Sequence, residues 1–229
     1  MKVGFTGINL QEGKIKYNDD YLIALEEKDN PKKTSPFFIE FLLDEFIQSE
    51  AIVIPKNKIL DLLILDMEKI ENRMSGDIDQ KQKELLQKCL SILEEENPLC
   101  NEIWTEKELE TLSELAPYSI KPIIQIDGTE DINSVIKLIL KEADYMFFYT
   151  SGDKESHAWL VKNNTSIKTC AGKIHSDLEK GFIRGDVVSF NDYMNHHNFN
   201  DCKKKGLVKT VEKDYIVQPH ELIEIRFNV

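Results

Sequence analysis

The chain has 229 residues, of which 41% are hydrophobic and 31% are charged, and its formal net charge is -12. This length and composition are typical of a soluble globular protein with one large domain or two small ones. No apolar run approaches the roughly 18 residues that span a bilayer, and the N-terminus lacks the pattern of a signal peptide. We therefore expect a cytoplasmic protein that does not contact a membrane.

The charge is unevenly distributed along the chain. Residues 1–149 carry 17 Lys/Arg and 30 Asp/Glu, a net charge of -13, whereas residues 150–229 carry 12 and 11, a net charge of +1. Phosphate repels acidic surfaces, so only the C-terminal part is suited to contact RNA, and no DNA partner is expected. The four cysteines form no CxxC pair and are interpreted as free thiols.

The first predicted strand, residues 2–8, leads into a segment that resembles a phosphate-binding loop. Gly7, Gly13 and Lys14 stand near the positions that such a loop needs. Five residues separate the two glycines instead of four, Ile15 replaces the hydroxyl residue that would hold Mg²⁺, and Glu12 brings a negative charge into the loop. These three departures argue against nucleotide binding by this segment.

Alternating strands and helices are predicted as far as residue 149. We expect a strand over residues 21–25, a helix over 37–47 and a buried strand over 51–54. Apolar residues at three- and four-residue steps predict a coiled-coil-like helical hairpin from 58–74 and 78–93. Thr105 and Glu108 form a capping-box pattern for a third helix that ends near Ala116. A strand over 120–126, a helix over 131–142 and a strand over 145–149 complete an α/β layer.

The most informative segment of the C-terminal part covers residues 171–184. It predicts a helix over 171–180, with Ile174 and Leu178 on one face, that Gly181 stops before a strand over 182–189. Further short strands are predicted over 157–161, 215–217 and 222–227, which together indicate a small β-grasp-like module. Its basic side chains offer a candidate partner-binding surface, although a simple solvated helix face explains them too; they are Lys168, Lys173, His175, Lys180 and Arg184.

Several stretches resemble the YchF/Obg-like ATPase family. Residues 147–152 (FFYTSG), 155–160 (ESHAWL) and 171–187 (AGKIHSDLEKGFIRGDV) look like the TGS domain that closes members of this family. Residues 62–74 (LLILDMEKIENRM) resemble the first helix of the family's inserted helical domain, and residues 121–124 (KPII) resemble the strand that returns to the nucleotide domain.

The resemblance implies three domains and a reduced nucleotide domain. Residues 1–56 with 118–146 would form a shortened P-loop-like α/β layer, residues 57–117 the helical insert, and residues 147–229 the TGS-like domain. No DxxG turn precedes residue 37. The family recognises the nucleotide base with an Asn-x-x-Glu motif. In this chain Gly128 falls at the asparagine position of that motif and Asp131 at its acidic position.

These observations favour a non-catalytic interaction protein without a cofactor. The partner that the resemblance implies is the ribosome or its RNA, or else a protein. The alternative is a nucleotide-binding switch or weak NTPase that uses ATP or GTP with magnesium at Gly7, Gly13 and Lys14. We expect no catalytic residues. Linear spacing offers only His196, His197 and Cys202 as metal ligands, and because adjacent histidines point in different directions we expect no metal site.

Overall fold

A computed structural model describes residues 1–228 of the chain as two compact units. The first unit contains Met1–Ile15 and Ile39–Ala143, and the second contains Lys16–Phe38 and Asp144–Val229. The strands are β1 (Lys2–Phe5), β2 (Gly13–Lys16), β3 (Thr34–Ser35), β4 (Phe38–Leu43), β5 (Ala51–Pro55), β6 (Ile123–Ile126), β7 (Tyr145–Thr150), β8 (Ser156–Lys162), β9 (Phe182–Val188), β10 (Lys209–Val211) and β11 (Leu222–Phe227). The α-helices are α1 (Asp20–Asp29), α2 (Ile59–Met74), α3 (Gln80–Glu94), α4 (Glu106–Leu115), α5 (Ile132–Glu142), α6 (Ile167–Ile174), α7 (Ser176–Lys180), α8 (Phe190–Met194) and α9 (Phe199–Lys204).

The first unit is built on a sheet in the order β2-β4-β1-β5-β6. Strand β1 pairs in parallel with β4 and β5, and β5 pairs in parallel with β6. Residues 51–54 of β5 are completely buried, which is typical of a central strand covered on both faces. The predicted α/β layer is therefore confirmed.

The predicted helical hairpin is also confirmed, as α2 and α3. Together with α4 they enclose an apolar cluster whose buried members are Leu63, Ile70, Leu86, Cys89, Leu93, Leu99 and Leu112. The capping box at the start of α4 is present, because the Thr105 side chain accepts from the Glu108 N–H and the Glu108 carboxylate accepts from the Thr105 N–H. Asp66 of α2 is fully buried and accepts from the N–H groups of Tyr118 and Ser119, both at 2.6 Å.

The second unit contains a mixed sheet in the order β10-β9-β11-β7-β8-β3. Strands β7 and β8 form one antiparallel pair, β9 and β11 form another, and β11 meets β7 in parallel at Leu222 and Tyr149. Helix α6 packs on the face that carries Met146 and Phe148. This is the β-grasp-like arrangement expected for the C-terminal part.

Two predictions for the segment after the phosphate-like loop are wrong. Residues 21–25 lie in helix α1, not in a strand, because the Asp19 side chain caps the helix by accepting from the Tyr21 N–H. Residues 38–43 form strand β4, not a helix. Their apolar run fits a half-buried parallel strand as well as it fits a helix face, so spacing alone could not separate the two.

The helix predicted over 171–180 is divided in two. Helix α6 begins earlier, after the N-cap Ser166, and ends at Ile174. His175 has an extended backbone, with φ at -163°, and serves as the N-cap of α7. Gly181 ends α7 as predicted, and a Cβ atom there would collide with the carbonyl oxygen of Asn228. The strand predicted over 215–217 is reduced to one antiparallel bridge between Ser166 and Ile216.

Lys16–Phe38 belongs to the second unit, although its two end residues also lie in β2 and β4 of the first sheet. The domain division expected from the resemblance had placed this segment with the nucleotide-domain-like layer. We call this segment the strap. Its strand β3 extends the second sheet by pairing in parallel with β8, where Thr34 faces Ser156 and Ser35 faces His157.

Candidate functional site

The carboxyl ends of the parallel strands are where open α/β sheets usually bind ligands. In the first unit, the loop after β1 contains Gly7, which has a φ of +67° and lies against the ring of Pro55. The chain then enters strand β2 at Gly13. Lys14 is the second residue of that strand and is exposed. No helix follows the loop directly in the described chain, so the loop has no helix N-terminus to direct at a phosphate.

A second loop at the same edge of the sheet binds its own side chain. The Glu130 carboxylate accepts hydrogen bonds from the backbone N–H groups of Asp127, Gly128 and Thr129 at 2.8–3.0 Å. These bonds, first of all the one from Asp127, hold the pKa of Glu130 below its usual value. The structure places Asp127, not Gly128, directly after β6. The anion-binding amides of this loop are therefore already engaged by a carboxylate.

Ion pairs occupy the lysines near this edge. Lys56 contacts Asp127 at 2.6 Å, and Lys58 contacts Asp61 at 2.7 Å. A cavity of about 240 Å³ beside Gly7 is lined mainly by apolar groups, among them Phe46, Ile54, Leu62 and Leu65. A triphosphate carries several negative charges and needs donors around it, and this lining supplies few.

The predicted partner-binding residues of the second unit are all exposed, but they do not form one continuous stripe. Lys168 and Lys173 lie five positions apart on α6, which separates them by about 140° around the helix. Arg184 on β9 is paired with Glu212 at 3.0 Å. His175 accepts a hydrogen bond from the Asp177 N–H through Nδ1, so it has a structural role as a helix cap. Lys180 ends α7.

The lysine triplet at residues 203–205 is largely engaged within the unit. The Lys203 ammonium lies 2.6 Å from Asp186, and Lys205 lies 3.5 Å from Asp201. Asp186 is 1% exposed and also accepts hydrogen bonds from Thr210 and Arg226. Lys203 and Lys205 are therefore less available to an RNA partner than their place in a lysine triplet suggests.

The strap covers the sheet face opposite to α6, a feature that the sequence interpretation missed. The hydroxyl of Tyr149 on β7 donates to the buried Asp19 carboxylate at 2.7 Å, and the Tyr17 ring stacks on Phe147. At the other end of α1, Lys28 donates to the carbonyl oxygens of residues 196 and 197. The only sequence signal was the capping pattern at residues 18–20.

The histidine pair near residue 196 shows no shared ligand geometry. The His196 ring lies 2.7 Å from the carbonyl oxygen of Asp192, and the Cys202 sulfur lies 3.8 Å from the same oxygen. Within residues 1–228, no three His, Cys, Asp or Glu side chains are grouped so that they could hold a metal ion. The same residues include no helix with the length and apolar character needed to cross a bilayer.

Comparison with known proteins places these features in a family context. The family model for the YchF GTPase C-terminal domain, described as a protein of unknown function (DUF933), matches residues 145–228. The ribosome-binding ATPase YchF of Bacillus subtilis is 26% identical in an alignment that takes in 98% of this chain and 91% of that protein. The chain is a relative of the YchF family.

Two further YchF proteins align with this chain over shorter stretches. The ribosome-binding ATPase YchF of Mycoplasma genitalium is 31% identical over 170 residues, which are 74% of this chain and 43% of that protein. Its Escherichia coli O157:H7 counterpart is 36% identical over 120 residues, which are 52% and 33% of the two chains. The chain thus spans less than half of these two relatives.

The fold of the YchF family is shared over the whole described chain. The structure of the Schizosaccharomyces pombe YchF GTPase matches with a TM-score of 0.80 at 15% identity, covering 99% of this chain and 97% of that one. At this identity the likeness establishes the fold. The Bacillus subtilis alignment extends over 333 positions, more than the 229 residues of this chain, so that relative carries additional residues within the aligned span.

Proposed function

We propose that this protein is a non-catalytic member of the YchF lineage that docks on the ribosome in the cytoplasm. The relatives are named ribosome-binding ATPases. The observation that supports the non-catalytic part is the position of Lys14 within strand β2, because a strand and not a helix directly follows the loop that contains Gly7. The docking part is supported by the C-terminal match to the YchF family over residues 145–228.

Catalysis of phosphoryl transfer requires a lysine, a metal ion and backbone donors arranged around the phosphates. In this chain Ile15 stands where the Mg²⁺-binding hydroxyl belongs, and Lys14 lies in a strand. Glu130 fills the amide nest at the neighbouring loop. The residues present do not fit a magnesium nucleotide, and we propose that no cofactor is used.

The exposed surface of the TGS-like unit is the proposed docking site for ribosomal RNA. One face of its sheet is covered by the strap, and α6 covers the other. The outer sides of α6, α7 and β9 remain available to contact RNA, and Lys173, Lys180 and Arg184 are exposed there. Lysine and arginine contacts to phosphate release counterions, so such binding weakens as salt rises.

Co-sedimentation with purified ribosomes tests this docking. We expect the wild type to pellet with ribosomes at low salt. The triple variant Lys173→Ala, Lys180→Ala, Arg184→Ala should bind roughly 10- to 100-fold more weakly, with a shallower dependence on salt. A matched variant that removes three exposed lysines of helices α3 and α4, Lys81, Lys83 and Lys107, controls for net charge. Equal losses in both triple variants, or no wild-type binding, would contradict the proposal.

The alternative function, a nucleotide-binding switch, makes the opposite thermal prediction. Because a ligand that binds only the folded state raises the melting temperature, ATP or GTP at millimolar concentration with Mg²⁺ should stabilise a nucleotide-binding protein. We expect no rise for this chain in differential scanning fluorimetry. A rise that Lys14→Ala abolishes would establish the alternative at Gly7, Gly13 and Lys14.

A further inference from the structure

Helix α2 exposes apolar side chains that its own fold leaves uncovered. In its first two turns, Leu62 and Leu63 are buried in the interior of the first unit. On the outer side, Leu60, Ile64 and Leu65 are 43%, 52% and 43% exposed. A helix that is apolar on nearly every side is usually buried on every side. The outer side of α2 therefore has the composition of a covered helix face.

A groove beside α2 is lined on its other side by the segment after β4. Leu65 lines the cavity of about 240 Å³ together with Phe46, and the next residue, Ile47, is 71% exposed. The Lys121 ammonium donates to the carbonyl oxygens of Phe46 and Ile47, which fixes this segment beside the sheet. Groups of exposed large apolar side chains are found at interaction sites on globular proteins. We call Ile47, Leu60, Ile64 and Leu65 the α2 surface.

Charges on the same helix restrict what can cover the α2 surface. At 100° per residue, Asp61 and Glu68 lie between the row formed by Leu60 and Ile64 and the position of Leu65. Both carboxylates are exposed, Asp61 also pairs with Lys58 at 2.7 Å, and the whole segment 57–117 carries 15 Asp/Glu against 7 Lys/Arg. Nucleic-acid phosphate would be repelled here. A protein segment that presents apolar residues with Lys or Arg between them complements this pattern.

We propose that the α2 surface binds a basic amphipathic helix of a protein partner. The mode is helix-in-groove recognition, in which the partner's apolar residues enter the groove between α2 and Phe46, its cations meet Glu68, and they replace or share the contact of Lys58 with Asp61. The inference deepens the proposed ribosome docking, because it assigns a protein component to the first unit and leaves RNA to the second.

Ribosome co-sedimentation with the variant Ile64→Asp tests this surface. Ile64 is half exposed, so the variant should fold, and circular dichroism checks that it does. We expect about tenfold weaker binding, with the salt dependence of the wild type retained, because an acidic group now meets the partner's apolar anchor. Ile103→Asp is the matched control, since Ile103 is 94% exposed and lies outside the α2 surface. If the wild type binds ribosomes and Ile64→Asp binds them equally well, the inference is overturned but the proposed function is not. If Ile64→Asp loses as much binding to protein-free ribosomal RNA as it loses to ribosomes, the inference is overturned too.

A second measurement is independent of the ribosome. A synthetic helix of leucine and lysine, about 18 residues long, should bind the wild type and Ile103→Asp but bind Ile64→Asp about tenfold more weakly. A leucine and glutamate helix of the same length should not bind. If the wild type binds neither ribosomes nor the basic peptide, both proposals fail. If it binds the peptide in this pattern but not ribosomes, only the proposed function fails.

Discussion

Replacement of Asp186 by alanine is expected to lower the free energy of unfolding of the second unit by about 3 kcal/mol. The carboxylate is 1% exposed and accepts hydrogen bonds from Lys203, Thr210 and Arg226, which come from α9, β10 and β11. Alanine leaves two cations without their anion and removes the group that joins these three elements. Chemical denaturation, followed by fluorescence of Trp159 in this unit, measures the loss.

The same carboxylate gives a dependence on pH. Burial alone would raise the pKa of Asp186, but the hydrogen bonds from Lys203, Thr210 and Arg226 outweigh burial and lower it. A carboxyl group with a lowered pKa in the folded state stabilises the protein above its unfolded pKa of about 4, and this contribution is lost as the pH falls further. The difference between wild type and Asp186→Ala should therefore shrink below about pH 4. Asp214→Ala, which removes an exposed carboxylate of the same unit, should have little effect at any pH.

Replacement of Asp66 by alanine is expected to destabilise the first unit by a comparable amount, about 3 kcal/mol. Asp66 is fully buried in α2, and its two oxygens accept the N–H groups of Tyr118 and Ser119. Without the carboxylate these donors lose their acceptor, and α2 loses its attachment to the turn before β6. Amide hydrogen exchange at residues 118 and 119 should accelerate together with the loss of stability.

The control for Asp66 lies one and a half turns earlier on the same helix. Asp61 is exposed and pairs with Lys58, so Asp61→Ala should change the stability by less than about 0.5 kcal/mol. Burial raises the pKa of Asp66 despite its hydrogen bonds. A raised pKa in the folded state means that protonation favours folding, so the contribution of Asp66 does not fall away in acid as that of Asp186 does. Equal effects of Asp61→Ala and Asp66→Ala would contradict this account.

Local signals in the sequence predicted much of the fold. The apolar spacing of α2 and α3 and the Thr105–Glu108 capping box require only neighbouring residues, and each formed as predicted. Helix α1 and strand β4 were missed because their environment depends on distant chain. Asp19 is buried against Tyr149, and β4 lies beside β1, so tertiary contacts decided between helix and strand.

The candidate sites were harder to predict from the sequence than the fold. The residue types at positions 7–15 already argued against a phosphate-binding loop, but only the backbone conformation shows that Lys14 lies in a strand. The capture of three amides by Glu130 depends on a loop conformation that no spacing rule encodes. Likewise, the pairing of Arg184 with Glu212 joins residues 28 positions apart, and it reduces the positive charge that the sequence had offered to a partner.

The strap has a consequence for synthesis of the chain. Lys16–Phe38 leaves the ribosome long before its companion segment, which begins at Asp144, so 105 residues are made between the two. At 5–20 residues per second, the strap would wait roughly 5 to 20 s before β7 and β8 exist to receive it. During that interval the aromatic side chains of Tyr17, Tyr21 and Phe37 have no folded surface to cover. A nascent chain of this protein therefore offers a chaperone an early apolar segment, and a fragment that begins at residue 144 would lack part of its own fold.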